Sequence, residues 1–206
     1  MSKRVPPIQL YAQQMREIKR RIEVIDFFLV ESGNALYKPT SIESICLQFR
    51  KILELIAFGS LIANKERYAA AYSKFASNWN AELLLKDLRR VNPKFYPMPI
   101  EERPSDRPGI KSEILPIVDG FLMEDDFVSV YKQCGGMLHA ANPYGSKIGR
   151  HFFEKEFPIW RAKIIRLLNS HEVHFVDDTS IWVIHMQEDG DGEVHYYEFA
   201  LVEKHG

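Results

Sequence analysis

Apolar residues recur every three or four positions at Ile8, Tyr11, Met15, Ile18, Ile22, Ile25 and Leu29, and the rhythm stops at Gly33-Asn34. Side chains at that spacing make one stripe on a helix, so a long amphipathic helix is predicted behind Pro6-Pro7. Pro39 and the pair Thr40-x-x-Glu43 then predict a capping box that opens a second helix. Its apolar positions are Ile42, Ile45, Phe49, Ile52 and Ile56, widened by Cys46, Leu53, Ala57 and Leu61. A helix apolar around most of its circumference belongs at the centre of a bundle.

After a break near Ser77-Asn78, residues Trp79, Leu83, Leu84, Leu88 and Val91 predict a third main helix, ended by Asn92-Pro93. Prolines at 93, 97, 99, 104, 108 and 116 exclude a regular helix over 92–116 and predict an extended arm or surface loop. Such an arm suits packing along a partner or a neighbouring subunit. Glu124-Asp125-Asp126 places acid in the first turn of a fourth helix, where the dipole favours it. That helix runs through Phe127, Tyr131, Cys134, Leu138 and Ala141. A fifth spans about Ser146 to Asn169, with Phe153, Phe157, Trp160, Ile164 and Leu167 on one face and Pro158 kinking or dividing it.

Near His171 the period changes from 3.6 to two. "SIWVIHMQEDGDGEVHYYEFALVEK" is two β-runs around a Gly/Asp turn, and "HEVHF" can add a third strand. The fold class expected is therefore mainly α: an antiparallel bundle of about five helices with a small C-terminal antiparallel β-hairpin or sheet. The bundle would occupy residues 1–170, including the arm 92–116, with 171–206 as a hairpin appendage packed on it.

Composition narrows the function. A net charge of -1 argues against a broad positive sheath and leaves only local patches for nucleic acid. The start "MSKRVPPIQL" has no apolar h-region, and the longest apolar run, "LELIAFGSLIA", is too short to span a bilayer. No membrane association and a cytoplasmic location are expected. Cys46 and Cys134 sit in helical apolar patterns without metal-ligand spacing and read as buried free thiols. The chain has no P-loop, GxGxxG after a strand, HExxH, GxSxG or CxxC, so no cofactor is expected.

Histidines 171, 174, 185 and 195 invite a metal test. With a hairpin loop at Asp189 to Gly192, Glu188 faces Glu193, His185 faces Tyr196 and His195 faces Met186. That register puts Trp182, Ile184, Met186, Tyr197 and Phe199 on one core-facing side and sends His185 and His195 to opposite faces. A one-residue slip would unite the histidines but scatter the apolar set. No metal site is expected, and "EDGDGE" is a turn rather than a calcium loop.

Two basic clusters remain: Lys86, Arg89, Arg90 and Lys94 at the end of the third helix, and Arg16, Lys19, Arg20 and Arg21 in the first. The helix dipole alone explains cations in a last turn, and an RNA or phosphate-binding patch is the functional alternative. The stretch "YKQCGGMLHAANPYG" is less ordinary. On a helical projection Lys132 and His139 stack on a polar strip with Gly136 nearby. Successive glycines at 135 and 136 are each unfavourable by about 0.5 to 1 kcal/mol relative to alanine, and close approach of another backbone would explain them. That predicts a homodimer contact at Gly135 and Gly136. Helix weakening near its end, with His139 beside free carbonyls, is the structural explanation.

A mostly helical domain carrying a late basic-x6-His motif, Lys132 to His139, resembles the HEPN superfamily of helical bundles. The resemblance implies dimerisation that brings two Arg-x(4–6)-His motifs together as a metal-independent ribonuclease site. Here Lys132 stands in the arginine's position and Gln133 in that of the following polar residue. In that chemistry His139 is the general base, Lys132 stabilises charge on the phosphoryl oxygens, and Asn142 hydrogen-bonds the phosphate. Lysine lacks arginine's planar fork, which weakens catalysis more than binding. The segments "FRKILELIAF", "NPKFYP" and "GGMLHAANPYG" are also similar to stretches of uncharacterised bacterial proteins, which implies no activity. Two expectations follow. One is a HEPN-like binding or interaction module in a toxin-antitoxin or phage-defence setting, using the arm 92–116 or the C-terminal hairpin to hold a protein or RNA partner. The other is a metal-independent homodimeric ribonuclease built on Lys132 and His139.

Overall fold

A computed structural model of the chain describes residues 5–30, 34–71, 80–110, 112–140, 149–176, 180–187 and 191–200. Helix α1 (Pro7–Leu29) begins with proline in its first turn and buries Tyr11, Ala12, Met15, Ile18 and Ile25, the stripe that its spacing predicts. Helix α2 (Lys38–Ala63) is central as expected: it packs against α1, α3 (Lys65–Ala71), α4 (Ala81–Val91), α5 (Glu124–Met137) and α6 (Arg150–Leu168). It starts before Thr40, so the anticipated capping box is not formed. Instead Thr40 lies inside the first turn and donates its hydroxyl to Tyr37 O at 2.6 Å and Ala35 O at 2.8 Å.

The later helices differ from expectation mainly at their ends. Asn80 caps α4 by accepting from Leu83 N at 3.1 Å, while Trp79 and the anticipated break at Ser77-Asn78 lie outside the described residues. Helix α5 ends at Met137, short of the predicted Ala141, which also lies outside them. Helix α6 runs unbroken through Pro158, which is on the exposed side, where water can satisfy the carbonyl that proline leaves without a donor.

The sheet is the main correction. The strands are not only a C-terminal hairpin: five of them form one antiparallel sheet in the order β2-β1-β3-β4-β5. Strands β1 (Met98–Pro104) and β2 (Ser112–Pro116) come from the proline-rich arm, and β3 (Ser170–His174), β4 (Ser180–His185) and β5 (His195–Ala200) from the C-terminal part. The prolines excluded a helix but not a strand, because they sit where ladder donors matter least. Pro99 lies at the end of the β1–β2 ladder, accepting from Ile117 N at 2.9 Å, and Pro104 and Pro116 occupy the last paired positions.

The hairpin register is also one residue away from the expected one. His185 pairs with His195, Ile184 with Tyr196, Val183 with Tyr197 and Ile181 with Phe199. The core-facing side is therefore Trp182, Ile184 and Tyr196, extended by the buried Met186 and Val194 in the connection. Tyr197 and Phe199 turn to the opposite side. The reason is tertiary. Met186 N bonds Asn169 O at 2.8 Å, and Lys19 Nζ on α1 bonds Met186 O at 2.8 Å and also Gly192 O. These anchors hold a longer connection than a four-residue turn, and the one-residue shift of register exchanges the faces of β5.

Two buried polar groups join bundle and sheet. Asn92 Nδ2, after α4, donates to Asn64 Oδ1 at 2.9 Å and to His174 O at 3.0 Å. His171, fully buried on β3, has Nδ1 at 2.8 Å from Leu168 O and Nε2 at 2.8 Å from the Tyr11 hydroxyl. A carbonyl only accepts, so Nδ1 carries the proton and Nε2 accepts from Tyr11. Burial pushes His171 from its ordinary 6.5 down to about 4, with His185 adding to the effect and the Leu168 carbonyl opposing it.

The neutral form is what the fold holds. On acidification the unfolded chain takes the proton below about 6.5, whereas the folded chain refuses it until about 4. The stabilisation is complete above the upper value and is lost as pH falls across the window, about 3 kcal/mol in all. Denaturant titrations from pH 7 to 4 are expected to show this loss in the wild type and a shallower one in His171→Gln. Parallel pH profiles would contradict it.

Candidate functional site

The sequence-proposed strip on α5 is dispersed by the helix end. Lys132 is exposed on α5 and its Nζ pairs with Glu82 Oε1 on α4 at 2.9 Å. His139 is exposed two residues beyond Met137, so a helical projection does not place it above Lys132. Asn142 lies outside the described residues. Gln133 donates to Ser129 Oγ at 2.9 Å on its own helix.

The two glycines have different surroundings. A Cβ on Gly135 would stand 2.6 Å from Arg50 Nη1, whereas a Cβ on Gly136 would meet nothing within 4 Å. The close neighbour at Gly135 is thus a guanidinium from α2 of the same chain. Arg50 lies 4.1 Å over the Tyr131 ring and donates to the Tyr131 hydroxyl at 2.7 Å. Glu54 Oε1 is 3.4 Å from both Arg50 Nε and the Tyr131 hydroxyl. Burial raises the Tyr131 phenol, with Arg50 opposing and Glu54 assisting. Beside this cluster Cys134 and Cys46 are buried free thiols in contact, and the hydrogen bond between them, with burial, drives the Cys134 thiol far up. They are inert packing groups in this state.

The basic clusters are spread among partners. Arg89 pairs with Glu124 and lies 5.9 Å from the Phe95 centroid, and Arg90 is 3.4 Å from Asp87. Lys86 is exposed, while Lys94 N bonds Asn92 Oδ1 at 2.9 Å. On α1, Lys19 holds the β4–β5 connection, Arg16 approaches Glu193 at 3.8 Å, and Arg21 bonds Glu17 and Gln48.

What the sequence did not reveal is the sheet face turned away from the helices. The register puts Met98, Ile100 and Glu102 of β1, Ile114 of β2, Glu172 and His174 of β3, Ile181, Val183 and His185 of β4, and His195, Tyr197 and Phe199 of β5 on that side. Ile100 and Val183 are buried there but stand outside the main core cluster. Around them Met98, Ile114, Tyr197 and Phe199 are 40 to 49% exposed. Each histidine has a carboxylate: His174 lies 2.9 Å from Glu172, His185 3.7 Å from Glu102, and His195 2.8 Å from Asp191. His185 and His195 do face one another, in the register the sequence argument rejected, yet no group of three or more metal-ligating side chains forms among the described residues. No outward strand position carries lysine or arginine.

Among the described residues the chain is a mainly α protein with a five-stranded antiparallel sheet. No helix among the described residues is long and apolar enough to cross a membrane. No family model, curated protein or solved structure matches the chain.

The glycine geometry has a measurable consequence. Gly136→Ala is expected to stabilise the fold by about 0.5 to 1 kcal/mol, since the position is helical and open. Gly135→Ala gains the same helix propensity but must displace Arg50 from Tyr131, and is expected to be less stable than Gly136→Ala by about 1 kcal/mol. Introducing Arg50→Ala should erase that difference in a double-mutant cycle. Equal effects at the two glycines in the Arg50 background would contradict the assignment.

Proposed function

We propose that the chain is a HEPN-like interaction module that holds a protein partner on the open face of its sheet. The observation that carries this is composition by position. The face combines exposed Met98, Ile114, Tyr197 and Phe199 with Glu102 and Glu172, and has no lysine or arginine on its strand positions. Aromatic and methionine side chains are enriched in protein interfaces. A phosphate backbone, in contrast, needs cations to release its counterions, so this face favours protein over RNA. The partner's contact surface is apolar with cationic groups that meet the carboxylates. The sequence resemblance is the basis for assigning such a module to a toxin-antitoxin or phage-defence system.

The test uses residues far from the hairpin edge. A photo-crosslinking amino acid at position 114 should capture a protein partner in cells, and adding Met98→Glu to that protein should abolish capture without changing thermal unfolding. Loss of the partner on Lys86→Glu and Arg90→Glu, with the face variants unaffected, would reverse the assignment in favour of the basic patch.

The ribonuclease alternative rests on the exposure of both Lys132 and His139. It requires Lys132 to leave Glu82. It predicts cleavage of mixed RNA in the presence of EDTA, abolished by His139→Ala and maintained or raised by Lys132→Arg. Intact RNA, with His139→Ala indistinguishable from wild type, excludes it.

A further inference from the structure

The sheet has two edges, and they are built differently. The β2 edge is a five-residue strand that ends at Pro116 and begins opposite Pro104. Short length and proline are devices by which edges resist pairing. Strand β5 is one residue longer and lacks the proline. Its six residues, His195–Ala200, contain no proline, lysine or arginine, and Glu198 is its one formal charge. All six pair with β4 on one side, and no described strand lies on the other. Alternate backbone N–H and C=O groups along that side therefore offer a ladder.

We infer that β5 pairs antiparallel with β5 of a second copy of this chain, about a two-fold axis at Tyr197, so that two five-stranded sheets become one. The register follows from face and charge. Directly opposed residues in an antiparallel pair share a face, so His195, Tyr197 and Phe199 can oppose only one another, and likewise Tyr196, Glu198 and Ala200. An axis at Glu198 would set two carboxylates against each other. An axis at Tyr196 would leave Phe199 and Ala200 beyond the partner strand. The axis at Tyr197 opposes Tyr197 to the partner's Tyr197, His195 to the partner's Phe199, and Tyr196 to the partner's Glu198. It places aromatic rings or a histidine on an aromatic ring at every outward position, and a phenol beside each carboxylate.

Self-pairing also explains why association would stop at two copies. Once both β5 edges are used, the assembly's remaining edges are the two β2 strands with their prolines. The occupant is a second copy because the strand is complementary to itself in this register. The inference concerns the sheet edge and does not depend on what binds the sheet face.

Sedimentation of the purified full chain should show a dimer at concentrations on the order of tens of micromolar. Tyr197→Lys opposes two ammonium groups at the axis and should return the protein to a monomer with unchanged helical signal. Glu198→Lys stands opposite a tyrosine in this register and should leave the dimer intact. A wild type that sediments as a monomer throughout, or a dimer that survives Tyr197→Lys, overturns the inference. A dimer lost on Glu198→Lys as well as on Tyr197→Lys overturns the register. Failure to capture a partner through position 114 while the dimer persists would remove the proposed function and leave this inference standing.

Discussion

The hydrogen bond from the Tyr11 hydroxyl to His171 Nε2 is the constraint on which the relation of helices to sheet depends. It is buried at both ends, and breaking it would strand two polar groups, each at a cost of about 1 to 3 kcal/mol. Gly59 leaves room for it: a Cβ there would lie 3.0 Å from Tyr11 Cε2, so a larger residue would have to push the ring aside by a few tenths of an ångström. Tyr11 then stands edge-on to Trp182 at 6.0 Å, and His171 is held from its other nitrogen by the last turn of α6. One residue of α2, one of α1, one of β3 and one of β4 are thereby fixed together. Among the described residues, the side of the sheet that carries Val173, Trp182 and Ile184 belongs to the core shared with the helices, and the side that carries Ile100 and Val183 stands outside it.

Most of the helical part was legible in the sequence because burial of one stripe repeats at the period of the helix. Tyr11, Met15, Ile18 and Ile25 on α1, and Phe49, Ile52 and Ile56 on α2, are buried where the spacing put them. The arm over 92–116 misled because proline density excludes helix for a local reason but permits strands when the missing donors fall at ladder ends. No local signal says that β1 will find β3, about seventy residues later, through Met98 and Pro99. The hairpin register failed for a similar reason. Local turn chemistry favoured a short loop, and tertiary bonds from Lys19 and Asn169 to the connection outweighed it.

The candidate site shows the same division. Gly135-Gly136 was visible as an anomaly, and the expected neighbour was the backbone of a second copy. The neighbour is Arg50 of the same chain, stacked on Tyr131, a pairing that needs the α2–α5 crossing to be known. The open face was invisible because it depends on register: Tyr197 and Phe199 read as core residues until the slip turns them outward. The basic clusters, conspicuous in sequence, are largely engaged with Glu124, Asp87, Glu17 and the β4–β5 connection. Charge that stands out in a sequence can be used up within the fold.

The central claim is that the outward face, with β5 in the observed register, is the surface this protein offers. Hydroxyl-radical footprinting of the chain at low concentration measures it most directly, comparing tyrosines with one another so that intrinsic reactivity cancels. Tyr197 is 43% exposed, whereas Tyr11 and Tyr68 are each 1% exposed. The account predicts rapid oxidation of Tyr197, together with Phe199 and Met98, and protection of Tyr11, Tyr68 and Trp182. Protection of Tyr197 to the level of Tyr11, with Tyr196 oxidised in its place, would contradict it.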